Sequence, residues 1–251
     1  MTGPRLARIV RHPVKAIGRE DLDAVTLAPG RTLPLDRIWA VAHEAATFTG
    51  QPDGWQRKLN FLRGVAGPEL MAVRARLDAG RLQLAHPRRP DLEIDPDDAA
   101  DRARLVDWLR PLWPEGRPAP SHVVHVPGHP MTDVPGPWVS ILSLGGLAAL
   151  SARVGQDLSI HRFRGNLWVE GWAPEAERAL LGRRMRIGEA VFEVRQPITR
   201  CRATCVNPDT GAEDVETLQA LTDLWGHQDF GIYAEVIVGG RIAPGDRVEA
   251  A

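Results

Sequence analysis

The chain has 251 residues, of which 43% are hydrophobic and 25% charged, with a formal net charge of −1. That length buries the core of one large or two small domains, and the composition is that of a folded protein rather than a disordered one. Near-neutrality gives no bulk attraction to nucleic acid or an acidic membrane, and no apolar run reaches the roughly 18 residues of a membrane span.

The first segment, RLARIVRHPVKAI (5–17), alternates apolar and polar positions up to a proline and predicts a strand entering a loop. DLDAVTLAPG and RTLPLDRIWAVAHE repeat the pattern of short strand and Pro/Gly turn. ELMAVRARLDAGRLQLAHP (69–87) predicts a hairpin around Asp78-Ala79-Gly80. DPDDAADRARLVDWLRPLW (95–113) changes to helical spacing, with Asp95 or Asp97 as cap and Pro111 near the end. The Pro/Gly-rich stretch 116–138 predicts a linker or a long functional loop. Beyond it come the strand WVSIL, a short helix over 145–154, and strands at NLWVEG, RMRIGEAVFEVR, FGIYAEVIVGG and DRVEA. Short helices are expected near 174–182 and 215–225. The whole predicts a mainly β (α+β) protein in three parts. A β-barrel-like domain spans 1–95, a helix and connecting segment 96–137, and a second β-barrel with short decorating helices 138–251.

Several common sites are missing: there is no GxSxG elbow, no P-loop and no GxGxxG after a strand. His122, His125 and His129 suggest zinc only superficially, since positions three apart on a strand face opposite sides and no further ligands sit at metal spacing. Both cysteines lie in PITRCRATCVNPDTG, at Cys201 and Cys205. On one straight strand they share a face about 13 Å apart, too far for a disulfide or a shared metal, though a loop would relax that limit. So few cysteines need no disulfide framework and suit a reducing cytoplasm, as does a first stretch, MTGPRLARIVRHPVK, without the apolar core of a signal peptide.

Arg200 and Arg202 flank Cys201 and Arg195 lies six positions upstream, a setting that favours a thiolate. Such a thiolate suits either a covalent nucleophile or a soft ligand to one metal centre. The arginines add an anionic ligand to that picture, and Lys15, Arg37, Arg162, Arg164 and Asn166 supply further polar groups. Of 31 basic residues only Lys15 and Lys58 are lysine, which marks Lys15, and Tyr233 is the single tyrosine.

RIVRHPVKAI…DRIWAV, RFRGNLWVEG, TRCRATCVNPDTG, FGIYAEV and GRIAPGDRV, in that order, resemble MOSC-domain proteins with an N-terminal MOSC β-barrel domain. Within these the chain is most similar to the amidoxime-reducing components and their bacterial counterparts. The resemblance implies a molybdenum–molybdopterin cofactor, with Cys201 as metal ligand and catalytic residue. It implies cofactor contacts from Lys15, Arg37, Ser143, Arg164, Asn166, Thr199, Arg200 and Tyr233. Two positions depart from the family pattern: Ala16 replaces a serine, removing a hydroxyl donor, and Gly165 replaces a proline, expected to loosen its loop. The implied activity is reduction of N-hydroxylated compounds by oxygen-atom removal. The implied partners are a small N-hydroxylated substrate and an external iron–sulfur, haem or flavin electron donor, because Cys205 alone cannot hold a cluster. A cofactor carrier or sulfur-transfer protein using Cys201, and a non-catalytic module binding an anionic ligand, are the alternatives.

Overall fold

The computed structural model describes residues 3–251. Its strands are β1 (Arg5–Arg11), β2 (Glu20–Leu22), β3 (Val25–Leu27), β4 (Trp39–His43), β5 (Arg74–Asp78), β6 (Arg81–His86) and β7 (Arg89–Ile94). After helix α1 (Ala99–Leu109) follow β8 (Pro120–His125), β9 (Val139–Ser143), helix α2 (Leu144–Val154), β10 (Leu167–Glu170), β11 (Arg184–Ile187) and β12 (Ala190–Thr199). Helix α3 (Thr217–Trp225), β13 (Asp229–Val238), β14 (Gly240–Ile242) and β15 (Val248–Ala250) complete the chain. It is mainly β with three α-helices, as its alternating segments predict.

The largest sheet has eight strands in the order β15-β11-β12-β13-β9-β10-β1-β2. Among the described residues no sheet closes into a barrel; β15 and β2 are the two ends of this one. Its strand β9 is buried along its whole length, as a strand covered on both faces requires. In β9, Val139 and Ile141 pack with Ile9, Phe192 and Ile232 on one side, while Leu142 packs with Trp168, Phe230, Leu150 of α2 and Leu221 of α3 on the other. The N-terminal strand is thus part of the C-terminal sheet: β1 pairs antiparallel with β10, and β10 pairs parallel with β9.

A separate core lies under β5-β6-β7 and α1, where Leu82, Leu84 and Ile94 meet Leu105 and Trp108. The hairpin turns where expected, with Asp78 opposite Arg81 and both Ala79 (φ 47°) and Gly80 (φ 81°) left-handed, as a type I′ turn demands. Helix α1 is capped by Asp98, whose carboxylate accepts the Asp101 N–H at 2.9 Å, not by Asp95 or Asp97. Asp95 instead closes the preceding turn by accepting Asp97 N–H at 2.9 Å.

Two expectations need correction. The Pro/Gly-rich stretch is not all linker: Pro120–His125 forms β8 and pairs antiparallel with β4, with proline only at its first position, where no ladder donor is needed. The helix expected near 174–182 is a single 3-10 turn, Ala176–Leu180. No described helix is long and apolar enough to cross a membrane.

Candidate functional site

Strand β12 ends at Thr199, beyond register irregularities at Val194/Gln196 and Pro197/Thr199. Cys201 follows in extended conformation and caps a 3-10 turn, Arg202–Cys205, by accepting Thr204 N–H (3.1 Å) and Oγ1–H (3.0 Å) on its carbonyl. The two cysteines are therefore not on one strand, because the chain turns between them. Cys201 is exposed; Cys205 is buried with its Sγ 3.4 Å from Thr217 Oγ1, beneath the start of α3.

The arginines around Cys201 separate on inspection. Arg195 pairs with Glu193 and Glu235, and Arg202 with Glu213 and Glu216, whose hydrogen bonds raise the Arg202 pKa. Both are neutralised, which corrects the expectation that they favour a Cys201 thiolate. Arg200 has no carboxylate partner among the described residues. It donates to Phe230 O from Nε (2.8 Å) and Nη2 and to Phe163 O from Nη1 (2.9 Å), and lies 5.6 Å from the Phe163 ring and 5.8 Å from the Phe230 ring. Burial pushes its pKa down to about 10, against the opposing influence of Tyr233 and Cys201.

Three loops bring further cations to Arg200. After β1, Lys15 is buried at 3% exposure and pairs with Asp133. In the turn before β4, Arg37 pairs with the buried Asp36 and donates to Arg164 O at 2.8 Å. Before β10, Arg164 donates to Gly18 O (3.1 Å) and Val14 O (3.3 Å). Ala16, Arg37 and Arg164 all have positive φ (62°, 54° and 47°), a strained set whose concentration in three touching loops marks a site rather than ordinary turns. Burial, then the Arg37 charge, pushes Arg164 down to about 9. Although burial works to raise Asp36, the neighbouring Arg37 and His12 hold its carboxyl well below the usual range.

Lys15, Arg37, Arg164 and Arg200 lie within electrostatic reach of one another and face two carboxylates, Asp36 and Asp133. Lys58 also lies 4.0 Å from Asp133, so cations outnumber carboxylates in a partly dehydrated setting. Two of the four guanidiniums and ammoniums, those of Arg164 and Arg200, are held only by main-chain carbonyls. This donor set suits an anion such as a phosphate. Tyr233 lies in the same neighbourhood, its ring 5.9 Å from Trp138, and burial together with Asp133 raises its phenol pKa.

Other expected contacts fall differently. Ser143 is fully buried and caps α2 by accepting Gly146 N–H at 3.1 Å. Asn166 is buried with its Oδ1 accepting from Ser140 Oγ (2.8 Å) and N (3.2 Å) and its Nδ2 donating to Val10 O. Both brace the sheet under the loops instead of presenting a free group. Thr199 is exposed and donates to Asp229 at 2.6 Å. Arg162 grips Asp214 with two bonds of 2.7 and 2.8 Å. Gly165 packs on Leu142, where a Cβ would collide, so the loop is held to the sheet rather than loosened.

Sequence reasoning missed Asp36, Asp133 and His12. Asp36 had a signal, an acid beside the chosen Arg37; Asp133 had none, since it meets Lys15 across 118 positions. The NPDTG motif is a docking turn. Asp209 accepts from Arg19 (2.9 Å) and Arg74 (3.1 Å), and Gly211 (φ 75°) lies where a Cβ would sit 2.7 Å from Glu69 Cα. Of the three histidines, His122 bonds Gly50 O at 2.7 Å and His125 faces Asp97 at 3.3 Å. Among the described residues no three His, Cys, Asp or Glu side chains are grouped to hold a metal, so any metal at Cys201 must arrive with its other ligands.

The family model described as "MOSC N-terminal beta barrel domain" matches residues 3–111, and that described as "MOSC domain" matches 134–249. Curated relatives include molybdenum cofactor sulfurases of Caenorhabditis briggsae, 40% identical over 97 residues (38% of this chain, 13% of that one), and Caenorhabditis elegans, 42% over 74 residues (29% and 10%). The chain thus spans only about a tenth of the length of such relatives. Similar solved structures include YiiM from Geobacillus stearothermophilus, with TM-score 0.35, 21% identity and coverage of 45% of this chain and 53% of that one. The YUAD protein from Bacillus subtilis has TM-score 0.45 and 12% identity, covering 99% and 97%. The two family models together account for nearly the whole chain, and it belongs to the MOSC-domain proteins, with a MOSC N-terminal β-barrel domain in front.

Proposed function

We propose that the chain binds a molybdenum–molybdopterin cofactor and uses it to reduce N-hydroxylated compounds, with electrons from a separate protein. One observation carries this reading: a cluster in which cations outnumber carboxylates lies beside an exposed cysteine, Cys201. Lys15, Arg37 and Arg164 would hold the phosphate, Arg200 the pterin side, and Cys201 would be the one protein ligand to the metal. When bound, the group supplies two-electron, oxygen-accepting chemistry at its metal.

The chain's own residues have defined tasks. Carbonyl-anchored guanidiniums of Arg164 and Arg200 are oriented before a ligand arrives, which lowers the ordering cost of binding. Tyr233 keeps its proton at neutral pH and can donate a hydrogen bond to a substrate oxygen. Cys205 is engaged with Thr217, so the described residues offer no thiolate set for an iron–sulfur cluster, and in this reading a separate protein delivers the electrons.

A second reading, sulfur or cofactor transfer through Cys201, is favoured by the names of the curated relatives. Metal and pterin analysis of protein from a host that makes the cofactor tests both. The enzyme reading expects near-stoichiometric molybdenum and pterin, reoxidation of the reduced protein by an amidoxime, and loss of that reaction in Cys201→Ser. Bound cofactor with no turnover on a panel of N-hydroxylated compounds, or a sulfur-adduct mass on Cys201, favours transfer. Metal- and pterin-free protein from such a host rejects both.

A further inference from the structure

A second cavity lies across the turn that carries Asp36 and Arg37. Its volume is about 350 Å³, within the range of small-ligand sites. Leu33, Leu35, Ile38 and Val126 make its apolar lining, and Arg31 and His129 are among its polar members. No acidic residue lines it, although the chain has 32. The larger cavity elsewhere, of about 590 Å³, differs: four arginines there are matched by four carboxylates, and its ion pairs are already made.

Two details indicate a built site rather than a surface dip. Leu35 has φ 61° and leaves 45% of its surface exposed. A bulky residue in left-handed conformation is strained, and here it holds an apolar side chain at the cavity instead of in the core. The Arg31 guanidinium reaches over Gly128, 3.7 Å from where a Cβ would stand, so its charge lies at the rim. Neither Arg31 nor His129 has a side-chain hydrogen bond or ion pair to a described residue.

We infer that this cavity binds a small amphipathic monoanion, an aryl or short-chain carboxylate, with its apolar body on Leu35, Ile38 and Val126 and its carboxylate on Arg31. The inference does not depend on the molybdenum reading. Its occupant would stiffen the 33–37 turn, where Asp36 N–H donates to Leu33 O at 3.0 Å and from which Arg37 projects to the cationic cluster.

Titration calorimetry of the intact protein with 2-naphthoate, and with neutral 2-naphthamide as isostere, tests this. The acid should bind at least about tenfold more tightly than the amide, the factor expected for one charge-assisted contact. Arg31→Gln should erase that preference, Leu35→Asp should abolish binding of both, and Arg164→Gln should change neither. Each variant's circular dichroism and melting temperature show whether it is folded, and Arg31→Gln alters only an exposed side chain. Equal affinities for acid and amide, or no heat with either, would overturn the inference. So would binding lost in Arg164→Gln but kept in Arg31→Gln, which would place the acid in the central cluster.

Discussion

At the scale of single residues, three histidines with depressed pKa set the acid limit of this protein: the buried His12 and His86, the latter lowered by burial and the Arg89 charge, and the half-buried His161. Burial, then the Arg164 and Arg37 charges, holds His12 well below its ordinary pKa; burial and Arg19 push His161 down to about 4. A base whose folded pKa is depressed binds fewer protons folded than unfolded, so stability falls as pH drops from about 6.5 towards the folded value. The carboxylates Asp36 and Asp133, also depressed, lose their contribution only below about pH 4, outside that window. Urea denaturation between pH 7 and 5 should therefore show stability falling by up to about 1.4 kcal/mol per pH unit for each histidine. His161→Gln should flatten the slope; an unchanged slope would reject this account. Residue-level legibility was uneven for a physical reason. Arg37, Arg164 and Arg200 were recognisable because their motifs are local, whereas Asp133 becomes visible only when its loop folds onto Lys15.

At the scale of elements, pattern and turn chemistry carried far. The hairpin around Asp78-Ala79-Gly80 and strands such as β12 and β13 followed from alternation and Gly placement. Strand β8 was hidden by the prolines around it, and the turn after Thr199 was hidden because TRCRATCV has no Gly or Pro to interrupt an apparent strand. The NPDTG turn shows what local pattern cannot say, since its specificity comes from docking against Glu69, Arg19 and Arg74, residues far away in the chain. Gly211→Ala should cost more than about 2 kcal/mol, from left-handed strain plus collision with the Glu69 backbone. Gly226→Ala, at φ 76° with nothing within 4 Å, should cost only about 1 kcal/mol. Equal losses in chemical denaturation would mean that the turn is not pressed against its neighbour.

At the scale of the molecule, β1 lies between β10 and β2 in a sheet whose other strands come from the C-terminal half. The two family models meet in one sheet, and the site loops 12–19, 33–37 and 160–166 are tied across that junction by Arg37 and Arg164. Unfolding should thus be one transition, with near-ultraviolet and far-ultraviolet circular dichroism coincident; two separated transitions would show that the halves unfold independently.

The unbalanced charge has a consequence beyond chemistry. A cluster whose cations outnumber its carboxylates is electrically incomplete, and whatever anion completes it binds the folded chain and not the unfolded one. Sulfate should raise the melting temperature more than chloride at equal ionic strength, and Arg164→Gln should shrink the difference; equal shifts would mean the cluster is already balanced. By the same mass action, a cell short of the true ligand would hold more of this chain unfolded and exposed to proteases, so that ligand supply would set how much of the protein persists.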